Sequence, residues 1–339
     1  MVQLGNFIWL TGVFDTAAPV CEPTGTIQPS MFNPVGVPGE TILSITWLLF
    51  VISGGIAIVV LSLIAYAVLR CRRAEGDDLE PPQVYGSNPI ELAWTVIPLL
   101  IVFLLFMVSA RGIFELERTT PPEGALEVTV TGHRWWWEFD YGELGVVTAG
   151  ELHVPIDEGK PADLFLTLQS ADVVHSFWVP QLGGKMDVVP DRINHLWLQA
   201  NAPATYVGQC AEFCGTQHAN MLIKVIVEPR ASFDAWVANQ RRDAVSDASV
   251  KAGHDLFLRT ACINCHTIRG TIANGSFAPD LTHLMSRTTI GSGAARNTPN
   301  MLREWVWDPQ NIKPGCDMPS MKLTRPEVDI LCAYLETLK

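Results

Sequence analysis

The sequence has few charged residues for its length, and few of these are basic. Only 17% of its 339 residues are Asp, Glu, Lys or Arg, whereas soluble domains average about 25%. The 23 basic residues are outnumbered by 35 acidic ones, for a formal net charge of -12. This balance argues against a nucleic-acid-binding protein, which needs a basic face. The chain also has only 8 cysteines, too few for a disulfide-dense scaffold. The 48% hydrophobic content instead favours a membrane protein, and the length allows two or three domains.

Two long apolar runs contain no charged residue. The first covers residues 42–69, which is 28 positions, and the second covers residues 92–110, which is 19 positions. A helix of about 20 residues crosses a bilayer core, and a membrane helix tolerates a proline such as Pro98. We therefore predict a transmembrane helix hairpin within residues 42–111. Two buried core helices are the alternative, which uncharged runs of this length disfavour.

The distribution of basic residues predicts the orientation of this hairpin. Residues 1–41 contain no Lys or Arg, whereas the loop after the first run begins with Arg70, Arg72 and Arg73. Short loops rich in basic residues stay on the cytoplasmic side. Residues 1–41 are therefore predicted to form an extracytoplasmic N-terminal segment, and the chain after the second helix is exported. Cys21, in the N-terminal segment, has no assigned role.

The exported part is predicted to contain two domains. Residues 112–238 hold short alternating runs between Pro and Gly residues, a pattern typical of a β-sandwich or barrel. The polar stretch 239–249 is predicted to be a linker or a short helix. Residues 250–339 have a helical pattern, and their last helix begins with a capping box from Thr324 to Glu327. The clearest β runs are 126–131, 163–169, 194–199 and 221–227.

The C-terminal part contains a haem-attachment motif. Cys262, Cys265 and His266 form the pattern C-x-x-C-H, in which two thiols form thioethers to the haem vinyl groups and the adjacent imidazole binds the iron. A structural zinc site or a redox CxxC is the alternative. The second iron ligand is expected downstream, and Met318, in a loop flanked by prolines, is favoured over Met321. Thioether ligation raises the haem potential, which suits an electron carrier.

A second group of candidate metal ligands lies in the predicted β domain. Cys210, Cys214, His218 and Met221 follow one another at short spacings, and His175 lies upstream. Two thiolates, two imidazoles and a thioether form a soft donor set that selects copper. A blue-copper site uses one cysteine, so the second cysteine predicts two copper ions bridged by two thiolates. A disulfide or a zinc site is the alternative for the cysteine pair taken alone.

Together these motifs resemble a known family. Nearly the whole chain is similar to subunit II of haem–copper cytochrome c oxidase, in the caa-type version with a fused C-terminal cytochrome c domain. The resemblance implies a multidomain membrane protein with a two-helix transmembrane hairpin, a cupredoxin-like β-sandwich and an all-α class I cytochrome c. The segments that carry it are 91–98, 132–137, 175–180 and 208–221.

The resemblance also implies roles for single residues. The Glu212 side chain would bind a Mg²⁺ shared with subunit I, Trp135 would be the surface aromatic through which an electron arrives from a cytochrome, and Glu91 would lie at the cytoplasmic mouth of a proton-uptake path. Ordinary packing and helix-end roles remain open for Trp135 and Glu91. Asp191 and Ala278 stand where the family has glycine, which affects only the local turns. The ligands of the dicopper centre, CuA, would be His175, Cys210, Cys214, His218, Met221 and the backbone carbonyl of Glu212.

The family resemblance implies an electron-input subunit of a respiratory terminal oxidase in the bacterial cytoplasmic membrane. Electrons from cytochrome c, or from another periplasmic or membrane redox protein, would pass through haem c and CuA to the haem of subunit I. There O₂ is reduced to water with proton translocation, and subunit III is a further expected partner. An electron-input subunit of a CuA-containing nitric oxide reductase is the alternative, which Glu91 and Glu212 disfavour. Export of the cytochrome domain would also permit a disulfide between Cys316 and Cys332.

Overall fold

The computed structural model describes residues 26–27, 29–72, 76, 80, 83, 85–245 and 247–339. Cys21 and Arg73 lie outside these residues. The helices are α1 (Val37–Arg70), α2 (Asn88–Leu116), α3 (Arg230–Gln240), α4 (Lys251–Arg259), α5 (Cys262–Cys265), α6 (Pro299–Trp307) and α7 (Arg325–Leu335). The strands are β1 (Thr26–Ile27), β2 (Leu126–His133), β3 (Trp136–Asp140), β4 (Val147–Ala149), β5 (Glu151–Ile156), β6 (Ala162–Ser170), β7 (His175–Trp178), β8 (Met186–Val188), β9 (Asn194–Ala200), β10 (Ala204–Cys210), β11 (Leu222–Pro229), β12 (Thr289–Ile290) and β13 (Ala295–Arg296).

The helices α1 and α2 form the predicted hairpin and are long and apolar enough to cross a membrane. The first helix begins at Val37, before the predicted boundary at residue 42, and its first turn includes Glu40. An acidic residue is favourable in a first turn, so the absence of charge marks the apolar part of a helix rather than its start. Gly112 of α2 faces α1, where an added Cβ would lie 2.9 Å from the Ile45 side chain. The small residue allows the two helices to approach closely.

The next domain is a β-sandwich of two sheets. One sheet has the order β5–β11–β10–β7–β8, with β1 paired to β10, and the other has the order β4–β3–β2–β6–β9. The four predicted β runs are the strands β2, β6, β9 and β11, each extended or shifted by one to three residues. Inward and outward side chains alternate along β2, as the pleat of a strand requires. The side chains between the sheets include Trp137, Phe139, Phe177 and Tyr206, all fully buried.

The C-terminal domain is built around the crossing of α4 and α7. An added Cβ at Gly253 of α4 would lie 2.2 Å from the carbonyl oxygen of Ile330 and 2.7 Å from the Tyr334 Cβ. The two helices therefore cross in near contact at a residue without a side chain. The predicted capping box is confirmed, because Thr324 and Glu327 make both reciprocal hydrogen bonds at the start of α7.

The segment between the β-sandwich and the C-terminal domain is fixed on the C-terminal domain. The helix α3 continues to Gln240, and the backbone then packs along Arg269, whose guanidinium donates to the carbonyls of Gln240 and Arg242. The Ala244 N–H donates to the Arg269 carbonyl at 3.1 Å. The described part of the predicted linker is thus held by hydrogen bonds to the C-terminal domain.

Candidate metal centres

Two neighbouring strands and one loop position the candidate copper ligands. His175 is the first residue of β7, and Cys210 is the last residue of β10. These strands are antiparallel neighbours, with Cys210 opposite Phe177. The chain then passes through a loop with a short 3₁₀ turn and returns as β11, and the Cys210 N–H donates to the Met221 carbonyl at 3.0 Å. This hydrogen bond therefore joins the two ends of the loop.

The candidate copper ligands converge around the two cysteine sulfurs. The Cys210 and Cys214 Sγ atoms lie 3.8 Å apart, far beyond the bonding distance of a disulfide. The His175 Nδ1 lies 3.9 Å from the Cys210 Sγ. The Glu212 carbonyl oxygen lies 3.2 Å from the same sulfur. On the other side, the Cys214 Sγ lies 3.6 Å from the His218 Nδ1 and 3.9 Å from the Met221 Sδ. Each sulfur thus has one imidazole and one further donor beside it.

A carboxylate orients the first of these imidazoles. The His175 Nε2 lies 2.8 Å from the Asp172 Oδ1, so this nitrogen carries the proton and the Nδ1 lone pair faces Cys210. Burial disfavours the charged ring, but the hydrogen bonds with Asp172 and Cys210 outweigh burial and raise the pKa of His175. The hydrogen bond from the Cys214 thiol lowers the pKa of Cys210. Thiolate is the form that binds metal.

This donor set fits a dinuclear copper centre. His175, Cys210 and Cys214 are all buried, and their ligand atoms lie within 4.8 Å of one another. Thiolate, imidazole and thioether donors are soft, which favours copper over hard cations. All seven cysteines of the described part of the chain are free thiols, so the disulfide alternative for Cys210 and Cys214 is not formed.

The haem-attachment motif folds as a single helical turn. Helix α5 carries Cys262 and Cys265, and His266 follows it directly. The His266 Nδ1 lies 2.7 Å from the Pro279 carbonyl oxygen, which leaves Nε2 for the iron. Burial lowers the pKa of His266 and favours the neutral ring that metal ligation needs. The Ala278 N–H donates to the Cys265 carbonyl at 2.9 Å. These residues fit covalently attached haem.

The loop that contains Met318 is shaped by Gln310. The amide of Gln310 donates to the carbonyls of Cys316 and Met318, both at 2.9 Å, and accepts from the Gly315 N–H at 2.7 Å. Met318 and Met321 are both half-buried. Cys316 and Cys332 are free thiols, so the disulfide that the compartment would permit is not formed in the structure.

Trp135 is not a surface residue, so that part of the sequence-based expectation is wrong. It is only 8% exposed, and its indole Nε1 donates to the Cys214 carbonyl at 3.0 Å. A Cβ added at Gly215 would lie 3.0 Å from the Trp135 ring. Its own carbonyl accepts from Lys313 of the C-terminal domain at 2.8 Å. The loop that carries the candidate copper ligands (residues 211–221, hereafter the copper loop) and the C-terminal domain together cover this tryptophan.

Glu91 and Glu212 lie in separate places. The Glu91 carboxylate accepts from the Ser87 N–H at 3.1 Å and so satisfies a free amide at the start of α2. The Glu212 side chain is exposed beside Phe213, which is 76% exposed. Asp191 has a φ of 59°, so an aspartate occupies the left-handed conformation that glycine adopts more readily.

Contacts between the β-sandwich and the C-terminal domain were not expected from the sequence. The Gln217 amide donates to the Pro314 carbonyl at 2.5 Å, and Arg134 lies 3.7 Å from Asp317. Glu151 of β5, which is 2% exposed, accepts from the Thr288 N–H at 3.0 Å. These residues are far apart in the sequence and form no local motif. The one signal that could have indicated a contact is a charged residue, Glu151, within a strand of the β domain.

The comparisons with known proteins agree with this arrangement. Residues 39–111 match the transmembrane domain of cytochrome c oxidase subunit II, residues 148–228 match its periplasmic domain, and residues 250–339 match cytochrome c. The chain is 34% identical to the cytochrome c oxidase subunit 2 of Alkalihalophilus pseudofirmus over 91% of its own length and 90% of that protein. It is 35% identical to the same subunit of Bacillus sp. (strain PS3) over 79% and 80% of the two chains.

A solved structure, the periplasmic domain of subunit II of the cytochrome oxidase of Bradyrhizobium japonicum, is 28% identical. The match covers 36% of the present chain and 97% of the solved chain, with a TM-score of 0.34. The domain order, the cupredoxin-like sandwich with its copper donors, and the extent of the match to the first two relatives together show that the chain belongs to the cytochrome c oxidase subunit 2 family, as the membrane-anchored oxidoreductase subunit of a haem–copper oxidase with a fused cytochrome c domain.

Proposed function

We propose that this subunit accepts electrons at its cytochrome c domain and delivers them through its copper domain to subunit I, where O₂ is reduced to water with proton translocation. The observation that carries the proposal is the convergence of His175, Cys210, Cys214, His218 and Met221, together with the direct contact between their loop and the loop of Met318. Haem c and CuA, when bound, supply the one-electron carriers.

The residues of this chain would hold the two groups as follows. Cys262 and Cys265 would attach haem c, and His266 would bind the iron through Nε2, since its Nδ1 is engaged by a carbonyl. Met318 would be the second axial ligand, because Gln310 fixes the backbone on both sides of it. A Met318→Ala variant that kept the absorption band of Met–iron ligation would transfer this role to Met321.

For copper, we propose that two imidazoles and two additional donors would hold the ions together with the two thiolates. His175 and the Glu212 carbonyl stand beside Cys210, whereas His218 and Met221 stand beside Cys214. Both thiolates would hold the copper centre between them. The exposed Glu212 carboxylate would then be free to bind a Mg²⁺ shared with subunit I. With Mn²⁺ as a paramagnetic probe of this site, unchanged Mn²⁺ binding to a Glu212→Gln oxidase would contradict the assignment.

Trp135 would receive the electron from the cytochrome domain of its own chain. Its indole donates to the carbonyl of a copper ligand, and its backbone accepts from the cytochrome domain. Glu91 would lie at the cytoplasmic start of a proton path. Its helix-capping contact explains the residue equally well, so unchanged proton uptake in a Glu91→Gln oxidase would leave only the capping role.

We further propose that the chain crosses the bacterial cytoplasmic membrane twice, with both termini and both redox domains outside. Subunit I is the partner that the family membership gives. Subunit III, and a donor that is cytochrome c or another periplasmic or membrane redox protein, complete the proposed assembly. The nitric oxide reductase alternative has no support among the relatives described above, which are oxidase subunits.

The decisive experiment replaces Cys210 or Cys214 with Ser in the complete oxidase. A hydroxyl is a poor ligand for Cu(I) and cannot delocalise spin onto sulfur, so the mixed-valence copper EPR signal should vanish. Haem c should still form and be reduced, because its proposed ligands all lie after residue 260, while O₂ consumption falls by orders of magnitude. Copper analysis should give two ions per wild-type chain. Full activity in a copper-free Cys214→Ser oxidase would refute the proposal.

A further inference from the structure

A lysine of the cytochrome domain is buried against the copper loop. Lys313 is 2% exposed, and its Nζ donates to three carbonyl oxygens: Trp135 at 2.8 Å, Asn220 at 2.8 Å and Gly291 at 2.7 Å. The three hydrogen bonds use all three ammonium protons. No carboxylate lies within ion-pair distance of Lys313 in the part of the chain that the structure describes.

The three carbonyls belong to three different segments. Asn220 lies between His218 and Met221, two of the proposed copper ligands. Trp135 bonds the carbonyl of Cys214 through its indole. Gly291 lies in the turn between β12 and β13 of the cytochrome domain. A single ammonium group therefore joins the copper loop, the tryptophan beside it and the cytochrome domain.

The position of Lys313 in the sequence makes this contact specific. It lies five residues before Met318, and its neighbour Pro314 accepts the hydrogen bond from Gln217 of the copper loop. Burial lowers the pKa of Lys313 to about 7. The three acceptors oppose this, because a neutral amine has two protons and would leave one buried carbonyl without a donor.

We propose that Lys313 is a positioning residue that holds the Met318 loop in one fixed placement on the copper loop, through the carbonyls of Trp135, Asn220 and Gly291. The inference rests on the proposed function for its consequence, which is electron transfer from the cytochrome domain to the copper domain. The placement itself follows from the hydrogen bonds. When protonated to donate to all three carbonyls, the Lys313 ammonium also lies within electrostatic range of Cys214, where a positive charge favours the reduced form of a bound redox centre.

The same interface supplies a matched control. Lys224 of β11 is also a buried lysine that reaches the cytochrome domain, where its Nζ donates to the Thr288 Oγ1 at 2.7 Å. It differs from Lys313 in having a carboxylate, Glu151, at 3.8 Å, and within the described residues its Nζ makes no hydrogen bond to the copper loop. Lys224→Met therefore removes an interdomain lysine without releasing the copper loop.

The test compares Lys313→Met and Lys224→Met in the complete oxidase, after haem c and copper have been counted in each. In Lys313→Met, hydrogen exchange of the amides in 214–221 and 313–318 should accelerate about tenfold or more, as expected for the loss of hydrogen bonds from a charged donor. The copper midpoint potential should fall, and flash-induced electron transfer from haem c to copper should slow. Lys224→Met should change exchange around Thr288 and leave the copper potential unchanged.

Two outcomes would overturn the proposal: unchanged exchange of both loops in Lys313→Met, or an equal fall in copper potential in Lys224→Met. Should the methionine variant fail to assemble, Lys313→Gln keeps N–H donors without the charge and should show a smaller acceleration in the same two loops; unchanged exchange there is equally decisive against it. A wild-type oxidase without copper would instead count against the proposed function. It would leave the placement by Lys313 to be judged by hydrogen exchange, because that measurement does not depend on electron transfer.

Discussion

His175 illustrates how a single carboxylate prepares a metal ligand. Asp172 binds its Nε2 and also accepts the N–H groups of Arg134 and Val173, each at 2.6 Å. These backbone donors fix the carboxylate, and the carboxylate in turn fixes the ring. The hydrogen bonds stabilise the ionised form against burial, so the pKa of Asp172 is lowered. The ligand orientation is therefore built into the protein before any metal binds.

We expect Asp172→Ala to weaken copper binding by about 10- to 100-fold, the usual effect of removing a partner that orients a ligand histidine. Competition with a copper chelator would measure it. Asp172→Asn, which keeps an acceptor oxygen, should lose less. Asp234→Ala removes an exposed carboxylate of α3 and should have no effect. Equal copper affinity in wild type and Asp172→Ala would contradict the orienting role.

At the scale of secondary-structure elements, the crossing of α4 and α7 determines the shape of the cytochrome domain. The crossing brings Gly253 against the backbone of Ile330. Two effects oppose each other at this position. Alanine is favoured over glycine in a helix by about 1 kcal/mol, whereas a Cβ placed 2.2 Å from a carbonyl oxygen requires the helices to separate.

We expect the steric effect to dominate, so that Gly253→Ala lowers the free energy of unfolding of the cytochrome domain by about 1–3 kcal/mol or more. Denaturant unfolding followed by haem absorbance would measure this. Ala252→Gly, on the exposed side of α4, should cost about 1 kcal/mol through helix propensity alone. A Gly253→Ala domain more stable than wild type would mean that the crossing is looser than the structure has it.

At the scale of the whole molecule, the basic residues after α1 predict which side of the membrane each part occupies. Cys71 lies directly after α1 and is exposed. Two other thiols of the described part of the chain, Cys316 and Cys332, are less accessible. Cys332 is fully buried, and burial raises its pKa to about 12. Burial also raises the pKa of the half-buried Cys316. Since thiolate is the reactive form, a thiol reagent should report on Cys71.

In a Cys21→Ser background, which removes the thiol of the N-terminal segment, a membrane-impermeant maleimide should therefore label the protein in inside-out vesicles and leave it unlabelled in intact cells. Adding Cys71→Ser to that background should abolish labelling in both preparations, which identifies the reacting thiol. Labelling of Cys71 from outside intact cells would reverse the proposed orientation and place both redox domains in the cytoplasm.

The sequence alone determined the features that depend on local spacing. Cys262, Cys265 and His266 lie within one helical turn, so their spacing defines the haem-attachment motif without knowledge of the rest of the fold. The uncharged runs define the membrane helices because lipid selects for composition over a fixed length. The capping box at Thr324 is likewise a property of four consecutive residues.

Only the tertiary structure decided the features that depend on how separate segments meet. His175 lies 35 residues before Cys210, and the pairing of β7 with β10 brings them together. Trp135 lies in the turn between β2 and β3, and its exposure depends on whether the cytochrome domain covers it, which no property of that turn encodes. The sequence alone gives no reason to treat Lys313 as other than an ordinary surface lysine. In the folded chain three carbonyl oxygens surround its ammonium group. Burial and long-range hydrogen bonding are collective properties of the packed chain, so a pattern of neighbouring residues cannot specify them.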